Sequence, residues 1–112
     1  MSPAERLRIE HMLSISRSAL KAIAGKSFHD LHVENEFTLA LIKRIEMIGE
    51  AASRISPTTR KALSGIPWAA IVNTRHRLIH GYDAIDLSIV WQIATEDLAS
   101  LIAGLESAID KS

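Results

Sequence analysis

Cysteine is absent from this 112-residue chain. That excludes disulfides, thiol nucleophiles and zinc sites built on thiolates. A long hydrophobic run is missing too: no stretch approaches the length of a membrane span, and the N-terminus lacks the apolar core of a signal peptide. The expectation is a cytoplasmic protein with no membrane contact. Neither sign of charge is in excess. Thirteen Lys and Arg balance thirteen Asp and Glu, for a formal net charge of zero, which argues against coating nucleic acid by bulk attraction. If RNA binds, the positive charge has to be local. Residues 75–80, with two arginines and two histidines in six positions, are the only dense candidate. Strand alternation, internal repeats and low-complexity tracts are also absent.

What is present is helical. Hydrophobic residues make up 47% and charged ones 23%, an ordinary globular composition for one domain spanning residues 1–112. Ser2-Pro3-Ala4-Glu5 reads as a capping box with Pro at the first helical position. Ile9, Met12, Leu13, Ser16, Leu20 and Ile23 then keep a helical period up to a stop at Gly25. Ser27 to Glu34 reads as a loop or short turn. A second helix is expected from about Asn35 to Ile55, with Phe37, Leu41, Ile45, Ile48, Ala52 and Ile55 along one side. Ser56-Pro57 ends it and caps a short helix through Leu63. After the tight connection Ser64-Gly65-Ile66-Pro67, a helix is expected from Pro67 to about His80, terminated by Gly81. Asp86 caps a last helix carrying Leu87, Val90, Trp91, Ala94, Leu98, Leu101, Leu105 and Ile109. The fold class expected is all-α, an up-and-down helical bundle of four main helices plus a short one. Ala40, Met47 and Ala51 add an apolar flank to the second helix, and the Pro67–His80 segment is apolar around much of its circumference. Burying that excess between two protomers predicts a two-fold homodimer.

The run Arg75-His76-Arg77-Leu78-Ile79-His80-Gly81-Tyr82 holds the chemistry-bearing residues. At about 100° per residue, Trp68, Ile71, Val72 and Ile79 share a stripe with Arg75 in its middle. A guanidinium on a buried face is costly unless paired, for which Glu46 and Glu50 are candidates. Arg75 and His80 are five residues apart, hence about 140° and roughly 7.5 Å apart on one helix. They do not easily converge on one substrate group within a chain, but they could if one protomer's His80 faced its partner's Arg75. An imidazole that moves protons near neutral pH, beside an Arg that stabilises a phosphorane-like anion, suffices to cut RNA through its own 2′-hydroxyl, with no metal or other cofactor. Other readings stand beside this one. His80 suits a helix C-cap, Tyr82 suits simple packing, and Glu46 and Glu50, at i and i+4, suit a salt-bridged surface. His76 and His80 have metal-binding spacing, although no carboxylate or cysteine joins them locally. His11, His29 and His32 read as surface residues.

Ile66-Pro67-Trp68, the Arg75–Tyr82 run and Asp86, together with Ile42-Lys43-Arg44-Ile45-Glu46-Met47-Ile48-Gly49-Glu50-Ala51-Ala52, resemble the HEPN superfamily. More narrowly, they are similar to the HepT toxins of HepT–MntA toxin–antitoxin modules. The resemblance spans nearly the whole chain, most securely from Phe37 to Trp91. It implies a HEPN-like helical domain that dimerises with both motifs at the interface, acting as the endoribonuclease toxin of a type VII-like module. Arg75 and His80 match the metal-independent catalytic pair. His76 matches the polar position after that Arg, where Asn is frequent, and Arg77 lies inside the motif as a supporting residue. Tyr82 matches the tyrosine to which an MntA-like nucleotidyltransferase antitoxin adds AMP. The alternative is a non-catalytic HEPN module that binds a nucleotidyltransferase partner or a nucleotide.

Overall fold

The computed structural model describes residues 1–78 and 84–110, with Arg75 described by its backbone alone. They form a helical bundle, without an extended strand among the described residues. Helix α1 spans Pro3–Ala22 and a single 3-10 turn covers Phe28–Asp30. Helix α2 is Glu36–Ser53, α3 is Pro57–Ala62, α4 is Trp68–Val72 and α5 is Thr74–Leu78. The last stretch of the chain is α6, Leu87–Gln92, a π-helical turn over Ile93–Asp97, and α7, Leu98–Asp110. Helix α1 lies between α2 and α7, while α2 also receives α4 and α5. No described helix is long and apolar enough to cross a membrane.

Local sequence explains the ends of these helices. The Ser2 hydroxyl accepts from the Glu5 N–H at 3.1 Å, and the Glu5 carboxylate accepts from the Ser2 N–H at 3.4 Å, completing the expected capping box. Asn35, Ser56 and Asp86 cap α2, α3 and α6 through their side chains. Gly25 adopts φ +77°, a left-handed conformation that suits glycine in the exit from α1.

Glu5 has a second task. Its Oε2 accepts from the Ser56 N–H at 2.6 Å and its Oε1 from the Thr59 hydroxyl at 2.8 Å, so the start of α1 is tied to the start of α3. These bonds favour the ionised carboxylate, the Ser56 N–H most strongly and the Thr59 hydroxyl next, and hold its pKa down at about 2.

The core follows the predicted stripes. Ile9, Met12, Leu41, Ile45, Ile55, Leu98 and Leu105 are fully buried, each contributing about 1.5–3 kcal/mol relative to exposure. Leu20 is an exception, being 37% exposed while its neighbour Ala19 takes the inward position. Close approach of α1 to its neighbours favours the smaller side chain there. Ser16, expected on the same stripe, is buried and donates its hydroxyl to the Met12 carbonyl at 2.7 Å.

The expected single last helix is interrupted by the π turn. Val90, Ala94 and Leu98 all face the core. Eight residues at 100° each overshoot two turns by about 80°. One extra residue accommodated in an i→i+5 turn takes up most of that drift and keeps all three inward.

Candidate active site

The motif does not begin on one continuous helix from Pro67. That expectation is corrected by a break at Asn73, which separates α4 from α5. Asn73 caps α4 with its N–H on the carbonyls of Ala69 and Ile71. The Thr74 hydroxyl donates to the Ile71 carbonyl at 2.9 Å. A short polar side chain that competes for a backbone carbonyl loosens the helix there, and α5 starts afresh, with the Arg77 N–H donating to the Asn73 carbonyl at 3.1 Å. The stripe that placed Arg75 among Trp68 and Ile71 is therefore not continuous. Trp68 and Ile71 are buried on α4, and on α5 the buried positions are Thr74 and Leu78.

Five residues are too few to hold a helix by themselves, so tertiary contacts decide how α5 sits. On one side it meets α2 at Gly49. A Cβ there would lie 2.8 Å from the Thr74 hydroxyl oxygen and 2.9 Å from the Ile71 carbonyl oxygen, so only glycine permits this approach. Below, Leu78 enters the core at 1% exposure, and its carbonyl accepts from the Asp86 N–H at 2.7 Å. On the third side the Arg77 guanidinium donates from Nη2 to Asp97 Oδ2 at 3.0 Å.

The sequence-derived site residues fall out as follows. Arg75 lies in the second position of α5, directly after the Gly49 contact. His76 is exposed. Arg77, expected as a supporting residue, is partly buried and engaged by Asp97. His80 and Tyr82 lie outside the described residues, as does Gly81, the expected stop. Among the described residues no group of three or more His, Cys, Asp or Glu side chains is placed to hold a metal ion. His11, His29 and His32 are exposed, as expected. Glu50, a candidate partner for Arg75, takes the Arg54 guanidinium at 3.1 Å across an exposed turn of α2, the salt-bridged alternative. Sequence reasoning missed Asp97. Its only local signal is the polar run Thr95-Glu96-Asp97 inside an otherwise apolar last helix.

Next to the start of α5 opens a groove of about 570 Å³ between α1, α2 and α4. Arg8, His11, Lys43 and Arg54 stand on it together with Glu46 and Glu50, while Val72 and Thr74 close its end. Its lining mixes basic and acidic side chains, so the face is not uniformly positive.

Comparison with known proteins agrees with the motif. The profile of a family described as ribonuclease HepT-like matches residues 9–108. A protein of Caldanaerobacter subterraneus subsp. tengcongensis, provisionally named an RNase, is 27% identical over 103 residues, covering 92% of each chain. A Thermococcus cleftensis protein provisionally named ribonuclease HepT is 32% identical over 74 residues, covering 66% of this chain and 67% of its own. A provisionally named RNase of Methanocaldococcus jannaschii is 37% identical over 62 residues, 55% of this chain and 57% of its own. No solved structure matches significantly.

Proposed function

The chain belongs to the ribonuclease HepT-like family of the HEPN superfamily, and from that premise we propose that it is a metal-independent endoribonuclease toxin acting as a homodimer. The observation that carries this reading is the family match over residues 9–108, which takes in the whole Arg75–Tyr82 motif. A short helix held on three sides that carries Arg75 supports the reading.

In the proposed reaction the His80 imidazole removes the proton of an RNA 2′-hydroxyl, whose oxygen attacks the adjacent phosphorus. Arg75 stabilises the charge gathering on the phosphorane oxygens. The bond to the 5′-oxygen breaks, that oxygen takes the proton back from His80, and the products are a 2′,3′-cyclic phosphate and a 5′-hydroxyl end. Atoms and charge balance without a metal. The five-residue spacing of Arg75 and His80 in the sequence supports sharing each site between two chains, one protomer supplying the Arg and its partner the His.

Cleavage of total RNA by purified protein tests the reading. Activity is expected to survive chelator and to vanish in His80→Ala, together with toxicity on expression. Equal cleavage by His80→Ala contradicts the enzyme and favours the non-catalytic module, which has no need of an imidazole. Strict dependence on a divalent ion favours a metal at His76 and His80 instead.

Control is proposed to act at Tyr82. AMP joined to its hydroxyl by a nucleotidyltransferase antitoxin, with pyrophosphate leaving from ATP, places a negative phosphate and a bulky nucleoside two residues from His80. The phosphate competes for the cations that RNA needs and the bulky nucleoside obstructs approach of RNA to them. Intact-mass spectrometry after co-expression with such an antitoxin is expected to show AMP-sized increments on wild type and none on Tyr82→Phe, which keeps its ribonuclease activity. An equally modified Phe variant assigns the modification to another residue.

A further inference from the structure

We propose that Asp97, on the π turn of the last helix, is a positioning residue for the catalytic motif: through Arg77 it sets the rotation of α5 and so the placement of Arg75. The proposal rests on the ribonuclease reading for its kinetic consequence, though not for its structural one.

The argument starts from the size of α5. A five-residue helix has little intrinsic stability and no preferred orientation of its own. Thr74 against Gly49 and Leu78 in the core hold its two ends. Those contacts lie within about 40° of each other round the helix axis, since four residues turn 400°. Two side-chain anchors on nearly one line, with the Leu78 carbonyl held by the Asp86 N–H at the same end, resist a roll about that line least. Arg77 supplies the third point, about 60° from Thr74 in the opposite sense to Leu78, and its Nη2 meets Asp97 Oδ2 at 3.0 Å. Position 75 is about 160° round the axis from position 77. A roll that moves Arg77 therefore carries Arg75 by the same angle on the far side.

Asp97 is suited to this task by its place in the π turn. The i→i+5 turn that keeps Val90, Ala94 and Leu98 inward also sets the direction of the side chain at its end, and single π turns are frequent at functional sites. This one ends at Asp97. The pair also stands over an apolar hollow of about 340 Å³ lined by Ile45, Ile48, Ile71, Ile93 and Leu101. The partial burial of Arg77 and Asp97, whose side chains are 29% and 40% exposed, shields the pair better than a fully exposed one. The same contact occupies the Arg77 guanidinium with a carboxylate. Its part is to orient the helix, with Arg75 left to meet the phosphate.

The test uses the full-length protein and two readouts, hydrogen exchange and RNA cleavage. In Asp97→Asn, which keeps the shape and removes the charge, the amides of Thr74–Leu78 are expected to exchange about tenfold faster while those in the middle of α1 are unchanged. In the same variant kcat is expected to fall by about tenfold or more with KM within about twofold, because misplacement of a catalytic group acts on the chemical step. Asp97→Glu, and the exchanged pair Arg77→Asp with Asp97→Arg, are expected to recover both readouts in large part. Unchanged exchange in Asp97→Asn overturns the proposal whatever the RNA assay shows. Faster exchange with unaltered kcat also overturns it, leaving a purely structural pair. If Arg77→Lys raises KM and weakens the salt dependence of RNA binding while Asp97→Asn is silent, Arg77 contacts RNA directly and the proposal is wrong. A wild type that cleaves no RNA contradicts the ribonuclease reading instead, and the exchange measurement still decides the clamp.

Discussion

Glu5 shows how much one side chain can join. It closes the capping box of α1 and accepts from Ser56 and Thr59 at the head of α3. Its folded pKa of about 2 lies below the ordinary 4.5, so its contribution to stability is complete above the ordinary value and is lost as pH falls through the interval down to about 2. Thermal melts of wild type and Glu5→Gln are therefore expected to differ at neutral pH, with wild type the more stable, and to converge on acidification through that interval. A constant gap across it contradicts the linkage. The capping half of this arrangement is legible in Ser2-Pro3-Ala4-Glu5. The bridge to Ser56 and Thr59 is not, because those residues are more than fifty positions away. The candidate site divides the same way. Arg75, His80 and Tyr82 are proposed from the sequence motif and its resemblance, whereas the contact of Asp97 with Arg77 is found only where folding brings the two together.

At the scale of elements, side-chain caps are the parts of the fold most readily read from sequence. Ser2, Asn35, Ser56 and Asp86 sit where short polar residues precede apolar periodicity, and all four cap helices. Two interruptions inside apparent helices are not readable in that way. The break at Asn73 depends on Thr74 turning its hydroxyl to the Ile71 carbonyl, and the π turn depends on keeping Val90, Ala94 and Leu98 against one core. Both are tertiary choices overriding a local pattern. The junction at Asn73 can also be tested. A methyl group at Gly49 meets the Thr74 hydroxyl oxygen at 2.8 Å and the Ile71 carbonyl oxygen at 2.9 Å, and backbone cannot move aside as a flexible side chain can. Gly49→Ala is expected to cost about 1–3 kcal/mol in denaturant unfolding. It should also lower RNA cleavage more than its loss of folded protein explains, because the displaced segment leads directly into Arg75. Stability and activity both at wild-type level contradict the close-packing account.

The whole molecule retains apolar surface that its own core does not use. Leu7, Leu39 and Met47 are 67%, 48% and 37% exposed, and Ala40 is exposed as well. Leu39, Ala40 and Met47 all belong to α2, the helix that also seats α4 and α5. Exposed apolar side chains on the helix that seats α4 and α5 support the proposed burial against a second copy. The proposed composite site would make that arrangement part of the chemistry, so mixing two inactive proteins tests it most directly. Arg75→Ala and His80→Ala, each purified alone, are expected to be inactive. Unfolded together and refolded as an equimolar mixture, half of the dimers are mixed and each mixed dimer has one intact site, so about a quarter of wild-type RNA cleavage should return. A mixture that forms mixed dimers, verified by mass, and yet stays as inactive as its components contradicts a site shared between two chains.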